Sequence, residues 1–182
     1  MNLHASVEGR ERLRLFCGLR LPAGVLDGIE SWGDEHLLGR RVPRENLHVT
    51  LAFLGPRPAA DLDGIRSVLE SAAAAAAPIV FAPRRYRETR SVGMLELEDE
   101  AGAAEALAGR VHEQLEALGV YRREQRRWLP HVTVLRFREP PRLRPPAPDL
   151  GRFSPSGAAV YHSVLRPSGA QYDVLESVAL GG

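Results

Sequence analysis

Two copies of one four-residue phrase constrain the fold of this chain more than any other feature. His48-Val49-Thr50-Leu51 and His131-Val132-Thr133-Val134 both match the alternation of a β-strand. Successive side chains of a strand point to opposite faces, so His48 and Thr50 share one face while Val49 points to the other. The second copy repeats this arrangement. The pattern predicts two strands, each with a His and a Thr on one side and a core residue on the other.

Composition alone rarely produces such a repeat. The chain holds six His and three Thr in 182 residues. Random placement gives roughly 0.1 His-x-Thr triplets, and two would arise in on the order of one in 200 such chains. The interval between the copies is longer than a solenoid repeat and indicates a duplicated lobe. We expect the two strands to pair across a pseudo-two-fold axis and to present a His₂Thr₂ cluster to one ligand.

A cluster of two imidazoles and two hydroxyls suits the cleavage of a phosphodiester. Imidazole titrates near pH ~6.5, so one ring can accept a proton while the other donates one. Two nearby rings disfavour double protonation, which helps to keep one of them neutral. Threonine hydroxyls donate hydrogen bonds to phosphoryl oxygens, whose negative charge grows during displacement. The other histidines have no such partner and are interpreted as surface or structural residues: His4, His36, His112 and His162.

The composition excludes several other chemistries. All 24 basic residues are Arg, which rules out a Walker-type phosphate loop, a Schiff-base lysine and a nucleotidyl-lysine intermediate. Cys17 is the single cysteine, so the chain has no internal disulfide and no thiolate metal cluster. A metallohydrolase that uses the two His is a weaker alternative, because no acidic ligand lies at a recognisable spacing. We expect neither a metal nor a cofactor.

The length and the element pattern indicate a single domain over 1–182 with two α+β lobes. Residues 1–10 are expected to be disordered. They lack a hydrophobic signal region, and no run approaches transmembrane length, so we expect a monomeric cytoplasmic protein without membrane contact. Hydrophobic periodicity and turn residues predict the following elements: strands 12–21, 46–54, 78–86 and 91–98, helices 22–38, 59–77 and 101–118, an extended proline-rich loop 138–150, and a hairpin of 157–165 with 171–180.

Two segments concentrate arginine. Residues 84–90 and 122–127 each hold four of them. A solvated basic edge is the simpler interpretation of both segments, and an RNA-facing rim is the alternative. The formal net charge of +1 predicts no long-range steering by the whole molecule, so any anion site must come from such local clustering.

The motifs resemble those of the two-histidine phosphoesterases, specifically the bacterial RNA 2′,3′-cyclic phosphodiesterases, also called 2′-5′ RNA ligases. The resemblance spans nearly the whole chain in the same order. It rests on four segments: LFCGLRLP (15–22), ENLHVTLAFLG (45–55), LPHVTVLR (129–136) and SVLRPSGAQYDVLE (163–176). It implies an α+β, bilobal fold in which two antiparallel β-sheets, related by pseudo-two-fold duplication, surround a central groove with the helices on the outside.

The resemblance also implies an activity, the metal-independent hydrolysis of a 2′,3′-cyclic phosphate to a 2′-phosphomonoester. His48 would protonate the departing 3′ oxygen and His131 would activate the attacking water, although the sequence alone leaves a swap of these roles open. Thr50 and Thr133 would bind the phosphate oxygens. The partner would be RNA with a 2′,3′-cyclic phosphate end, or a small cyclic nucleotide.

Two further residues match family positions. Arg136 would add a cationic phosphate contact. Strict alternation puts it on the opposite face from His131, so this role requires the strand to twist, bulge or end there. Its counterpart in the first repeat is Phe53, which makes the site asymmetric. Phe16 on the first strand would stack on a base, with core packing as an equal alternative.

Two function classes follow. The first is the cyclic phosphodiesterase, with weak reverse 2′-5′ ligation as a side reaction. Without lysine, ligation would have to run the cyclic-phosphate chemistry backwards, with a 5′-hydroxyl in place of water, so hydrolysis should dominate. The alternative is a non-catalytic module that binds RNA ends.

Overall fold

The structure is a computed structural model that describes residues 11–181; the predicted disorder of 1–10, together with His4, falls outside this range. The chain order of the strands and helices is β1 (Arg12–Arg20), α1 (Ala23–His36), β2 (Arg40–Arg41), β3 (Val49–Pro58), α2 (Leu62–Ala74), β4 (Phe81–Glu88), β5 (Val92–Asp99), α3 (Ala103–Ala117), β6 (His131–Arg136), β7 (Gly157–Arg166) and β8 (Gly169–Val178). Each predicted strand and helix is present, with bounds that differ by a few residues.

The first motif strand differs most from its predicted bounds. β3 begins at Val49 because Arg44–Asn46 forms a turn of 3₁₀ helix before it. The strand also continues to Pro58 through Gly55 and Pro56, which were expected to end it. This part of β3 pairs with β1 on one side and with no strand on the other. A proline is tolerated there because its missing N–H can fall on the unpaired side. Gly55 has a φ of +70° at an irregularity in that pairing, a conformation that glycine adopts without strain.

The strands form two antiparallel groups that meet at one residue pair. Their order is β4-β5-β6-β3-β1-β7-β8, with β2 on the free part of β6. Only Val49 and Val132 pair between β3 and β6. On one side of this junction lie β2, β4, β5 and β6, and on the other lie β1, β3, β7 and β8. These two four-stranded groups are the two lobes, and the bilobal α+β fold is confirmed. The two sheets that were expected are joined through this pair into one curled eight-stranded sheet.

The three helices cover the outer face of this curved sheet. One buried apolar cluster combines residues of all three helices with alternate residues of β1, and among its members are Leu15, Leu19, Ile29, Ile65, Leu69, Leu107 and Leu115. Val49 and Val132 point into the same cluster, so the residues on either side of each valine face the opposite, groove side. The Trp32 indole on α1 donates to the Pro146 carbonyl at 2.8 Å, which holds the irregular proline-rich loop against the helix. No helix within 11–181 is long and apolar enough to cross a membrane.

Candidate active site

The His-x-Thr phrases lie side by side where the two lobes meet. Antiparallel pairing of Val49 with Val132 places Thr50 beside His131 and His48 beside Thr133. All four side chains are half-buried on the groove side. The arrangement has the pseudo-two-fold symmetry that the repeat predicts.

Both imidazoles are held by the same local hydrogen bond. His48 Nδ1 lies 2.8 Å from the carbonyl oxygen of Asn46, and His131 Nδ1 lies 2.8 Å from that of Leu129. A carbonyl can only accept, so Nδ1 carries the proton in each ring and Nε2 is left for the groove. His48 Nε2 lies 2.8 Å from Thr50 Oγ1, so the hydroxyl donates to the neutral ring. Nε2 is thus the atom of each ring that can take part in proton transfer, although in the free protein that of His48 accepts from Thr50.

Arg136 reaches the groove because β6 bulges. Thr133 pairs with Met94 and Leu135 pairs with Gly93, which leaves Val134 as an extra residue. A bulge of one residue reverses the alternation beyond it, so Arg136 returns to the face of Thr133. Its guanidinium donates to the Tyr172 hydroxyl at 3.3 Å.

β3 has the same irregularity at the equivalent place. Thr50 pairs with Gly18 and Ala52 pairs with Cys17, so Leu51 is the extra residue. Phe53 then occupies the place that corresponds to Arg136. It is 46% exposed, and the Arg14 guanidinium carbon lies 4.8 Å from its ring centroid.

An aromatic cluster packs against His48. Phe16 is only 3% exposed; its ring stacks on Tyr161 at 4.7 Å and meets the edge of Tyr172 at 4.9 Å. The His48 ring lies 4.8 Å from Phe16 at an interplanar angle of 33°. With these three partners, Phe16 is placed for packing beneath His48 rather than for stacking on a base.

This environment controls the charge of His48. Burial, followed by the charges of His131 and Arg136, lowers the pKa of His48 from 6.5 to about 4, against the opposing effect of its bond to the Asn46 carbonyl. The ring is therefore neutral near pH 7 in the ligand-free protein. A proton donor at this position has to gain its proton when an anion binds.

Sequence comparison identifies the family that carries these motifs. The profile of the 2′-5′ RNA ligase superfamily matches residues 21–168, which include both His-x-Thr phrases and Arg136. The chain belongs to the 2′-5′ RNA ligase superfamily. No curated protein sequence matches it significantly.

Solved structures share the fold of this chain. TT0787 of Thermus thermophilus is 30% identical with a TM-score of 0.76, and the match covers 93% of this chain and 99% of that one. E. coli LigT complexed with 3′-AMP is 24% identical with a TM-score of 0.79, over 94% and 100% of the two chains. The PDE domain of MHV ns2 shares the fold at 17% identity, with a TM-score of 0.58 over 82% and 99%. This superfamily member is thus a phosphoesterase of the two-histidine type.

The residues that position His48 have no recognisable signal in the sequence. In this superfamily member Asn46 is 6% exposed; its amide donates to the Ala170 carbonyl at 2.7 Å and accepts from the Tyr172 N–H at 3.2 Å. The β7–β8 hairpin therefore fixes the backbone carbonyl that holds the His48 ring. The Trp128 indole donates to the Thr50 carbonyl at 3.0 Å, across the junction of the lobes. Nothing in the sequence pairs these residues, because each contact depends on long-range packing.

The histidines outside the motifs have different surroundings. His112 on α3 is buried, and its Nε2 lies 2.7 Å from the Leu51 carbonyl, which braces the β3 bulge from the helix side. His162 pairs with the core residue Leu15 on the neighbouring strand. Within 11–181, no three His, Cys, Asp or Glu side chains converge as metal ligands would.

Proposed function

We propose that this protein hydrolyses 2′,3′-cyclic phosphates, at RNA ends or on small nucleotides, to 2′-phosphomonoesters without a metal. The observation that carries the proposal is the paired geometry of His48 and His131. Each ring is fixed through Nδ1 by a carbonyl two residues earlier and offers Nε2 to the groove. This provides two proton-transfer groups beside two hydroxyl donors, which the displacement at phosphorus requires.

The proposed reaction uses each group once. His131 Nε2 accepts a proton from water as the water oxygen attacks phosphorus. The bond from phosphorus to the 3′ oxygen breaks, and that oxygen takes a proton from His48 Nε2. Thr50, Thr133 and Arg136 stabilise the charge on the non-bridging oxygens. A second proton exchange with solvent restores both rings.

Binding of the substrate would supply the proton that His48 needs. The cyclic phosphate carries one negative charge, and an anion beside an imidazole raises its pKa. In the proposed complex this attraction opposes the burial and the positive neighbours that keep the free ring neutral. The free protein and the complex should therefore differ in the protonation state of His48.

The nucleotide complexes of a similar protein support the choice of substrate class. E. coli LigT has been solved with 3′-AMP and with ATP, as well as with phosphate. Ligation, which the superfamily name mentions, would be the same displacement run backwards with a 5′-hydroxyl as nucleophile.

Turnover of adenosine 2′,3′-cyclic phosphate in excess chelator tests the proposal. We expect a 2′-phosphate product by chromatography, and a loss of roughly 10²-fold or more in kcat when His48 or His131 is replaced by Asn. His162, which pairs with the core residue Leu15, lies on the opposite face of the sheet from the groove, so His162→Asn serves as the matched control and should retain activity. Full activity of both motif variants would refute the proposal. Tight binding of an RNA end without turnover would favour the non-catalytic alternative.

A further inference from the structure

The groove continues beyond His131 onto two arginines of the outer strand. Glu96 on β5 pairs directly with His131, and Arg85 on β4 pairs directly with Glu96. Directly opposed residues of antiparallel strands point to the same face. Met94, which pairs with Thr133, has Arg87 as its own partner on β4. Arg85 and Arg87 therefore lie on the groove side, two strand spacings or about 10 Å from the motif strand.

One buried carboxylate holds both arginines. Glu96 is 2% exposed. Its Oε2 lies 2.7 Å from Nε of Arg85, and its Oε1 lies 2.7 Å from Nε of Arg87. Burial acts to raise the pKa of Glu96, but the hydrogen bond from Arg85 and the charges of Arg87, Arg85 and Arg84 outweigh it and lower the pKa. The carboxylate is therefore ionised, and one net positive charge remains on the cluster.

The outer ends of these arginines remain available. Both contacts with Glu96 use Nε, and the two side chains are 58% and 47% exposed. The contacts with Glu96 thus fix the stems without using the Nη groups. A guanidinium presents its N–H groups in a planar fork that matches a phosphate, and a fixed one loses little freedom on binding.

The second arginine-rich segment lacks this construction. Arg123, Arg126 and Arg127 each pair with a different surface acid, and their side chains are 48%, 84% and 82% exposed. One acid for each of these three arginines cancels their charge, and none of these acids is buried. The structure therefore separates the two segments, which the sequence leaves equivalent.

We infer that Arg85 and Arg87, held by Glu96, form a second phosphate subsite that binds the phosphodiester on the 5′ side of the terminal nucleotide. The inference rests on the proposed function and narrows its substrate class to oligoribonucleotides that end in a 2′,3′-cyclic phosphate. With its terminal cyclic phosphate at His48 and His131, the bound RNA strand would run across β5 to β4. A mononucleoside cyclic phosphate leaves this subsite empty.

The test compares two substrates, adenosine 2′,3′-cyclic phosphate and the dinucleotide ApA with the same cyclic end. For the wild-type protein, kcat/KM for the dinucleotide should exceed that for the mononucleotide by roughly tenfold or more, mainly through KM. Raising the salt concentration should lower this ratio, because a phosphate contact is lost by screening.

The decisive variant combines Arg85→Gln, Arg87→Gln and Glu96→Gln. Removing the arginines alone would leave a buried carboxylate unpaired and destabilise the lobe, whereas the triple change replaces all three charged side chains by uncharged ones that still form hydrogen bonds. In this variant the ratio of kcat/KM for the dinucleotide to kcat/KM for the mononucleotide should fall towards one. Arg126→Gln combined with Arg127→Gln is the matched control and should keep the wild-type ratio.

The outcomes separate the two proposals. A wild-type ratio near one, an unchanged ratio in the triple variant, or an equal fall in the control would overturn the subsite while the proposed function stands. Absence of turnover of both substrates by the wild-type protein would overturn the proposed function, and the subsite with it. The thermal unfolding midpoint of each variant verifies that the compared proteins are folded.

Discussion

The low pKa of His48 predicts a measurable loss of stability in mild acid. The group titrates at about 4 in the folded protein against 6.5 for an ordinary histidine, so between these values the unfolded chain binds the extra proton. The stabilising contribution is present above pH 6.5 and is lost as the pH falls towards 4. A shift of 2.5 units corresponds to about 3 kcal/mol, of which about 2 kcal/mol is lost between pH 7 and pH 4.5.

His48→Asn isolates this contribution. Asparagine keeps a donor for the Asn46 carbonyl but does not titrate. Urea unfolding, followed by the fluorescence of the two tryptophans, gives the free energy of unfolding at pH 7 and at pH 4.5. The variant should lose about 2 kcal/mol less than the wild-type protein between these pH values. An equal loss in both proteins would refute the argument, and NMR titration of the His48 ring gives a direct check on its midpoint.

Other perturbations of the site have expected outcomes of their own. Arg136→Met should raise the pKa of His48, measured by NMR, and raise KM roughly tenfold because a phosphate contact is lost; an unchanged KM would contradict this role. Phe16→Ala should lower the free energy of unfolding by about 3 kcal/mol and raise the pKa of His48, because the ring becomes less buried. Phe16→Leu should cause a smaller change in both quantities. Asn46→Ala should cost about 2 kcal/mol of stability and lower kcat more than KM, because it releases the carbonyl that holds His48; equal kcat would contradict its positioning role.

The local part of the site was predictable from the sequence. Period-two alternation places His48 with Thr50, and His131 with Thr133, without knowledge of any other strand. The duplication then implies that the two strands meet. The first step uses information within a few residues, the second needs only a comparison of the two copies, and both match the structure.

The remaining features depend on long-range register. The bulge that returns Arg136 to the groove has no local marker, since Val134 fits a regular strand as well as a bulge. Glu96 stands beside His131 only because β5 and β6 pair in one register, and nothing in SVGMLELE identifies that register. Phe16 matches a family position, but its burial beneath His48 requires β7 and β8 to supply Tyr161 and Tyr172.

The single pairing of Val49 with Val132 has a consequence for how activity arises during folding. Each lobe contains four strands, yet each contributes only one imidazole of the pair. Competence is therefore a property of the two docked lobes, and it requires contacts that cross between them, such as that of Trp128 with Thr50. Because the strands of the two lobes alternate along the chain, no single cut separates them, and turnover during refolding would report the docking of the lobes.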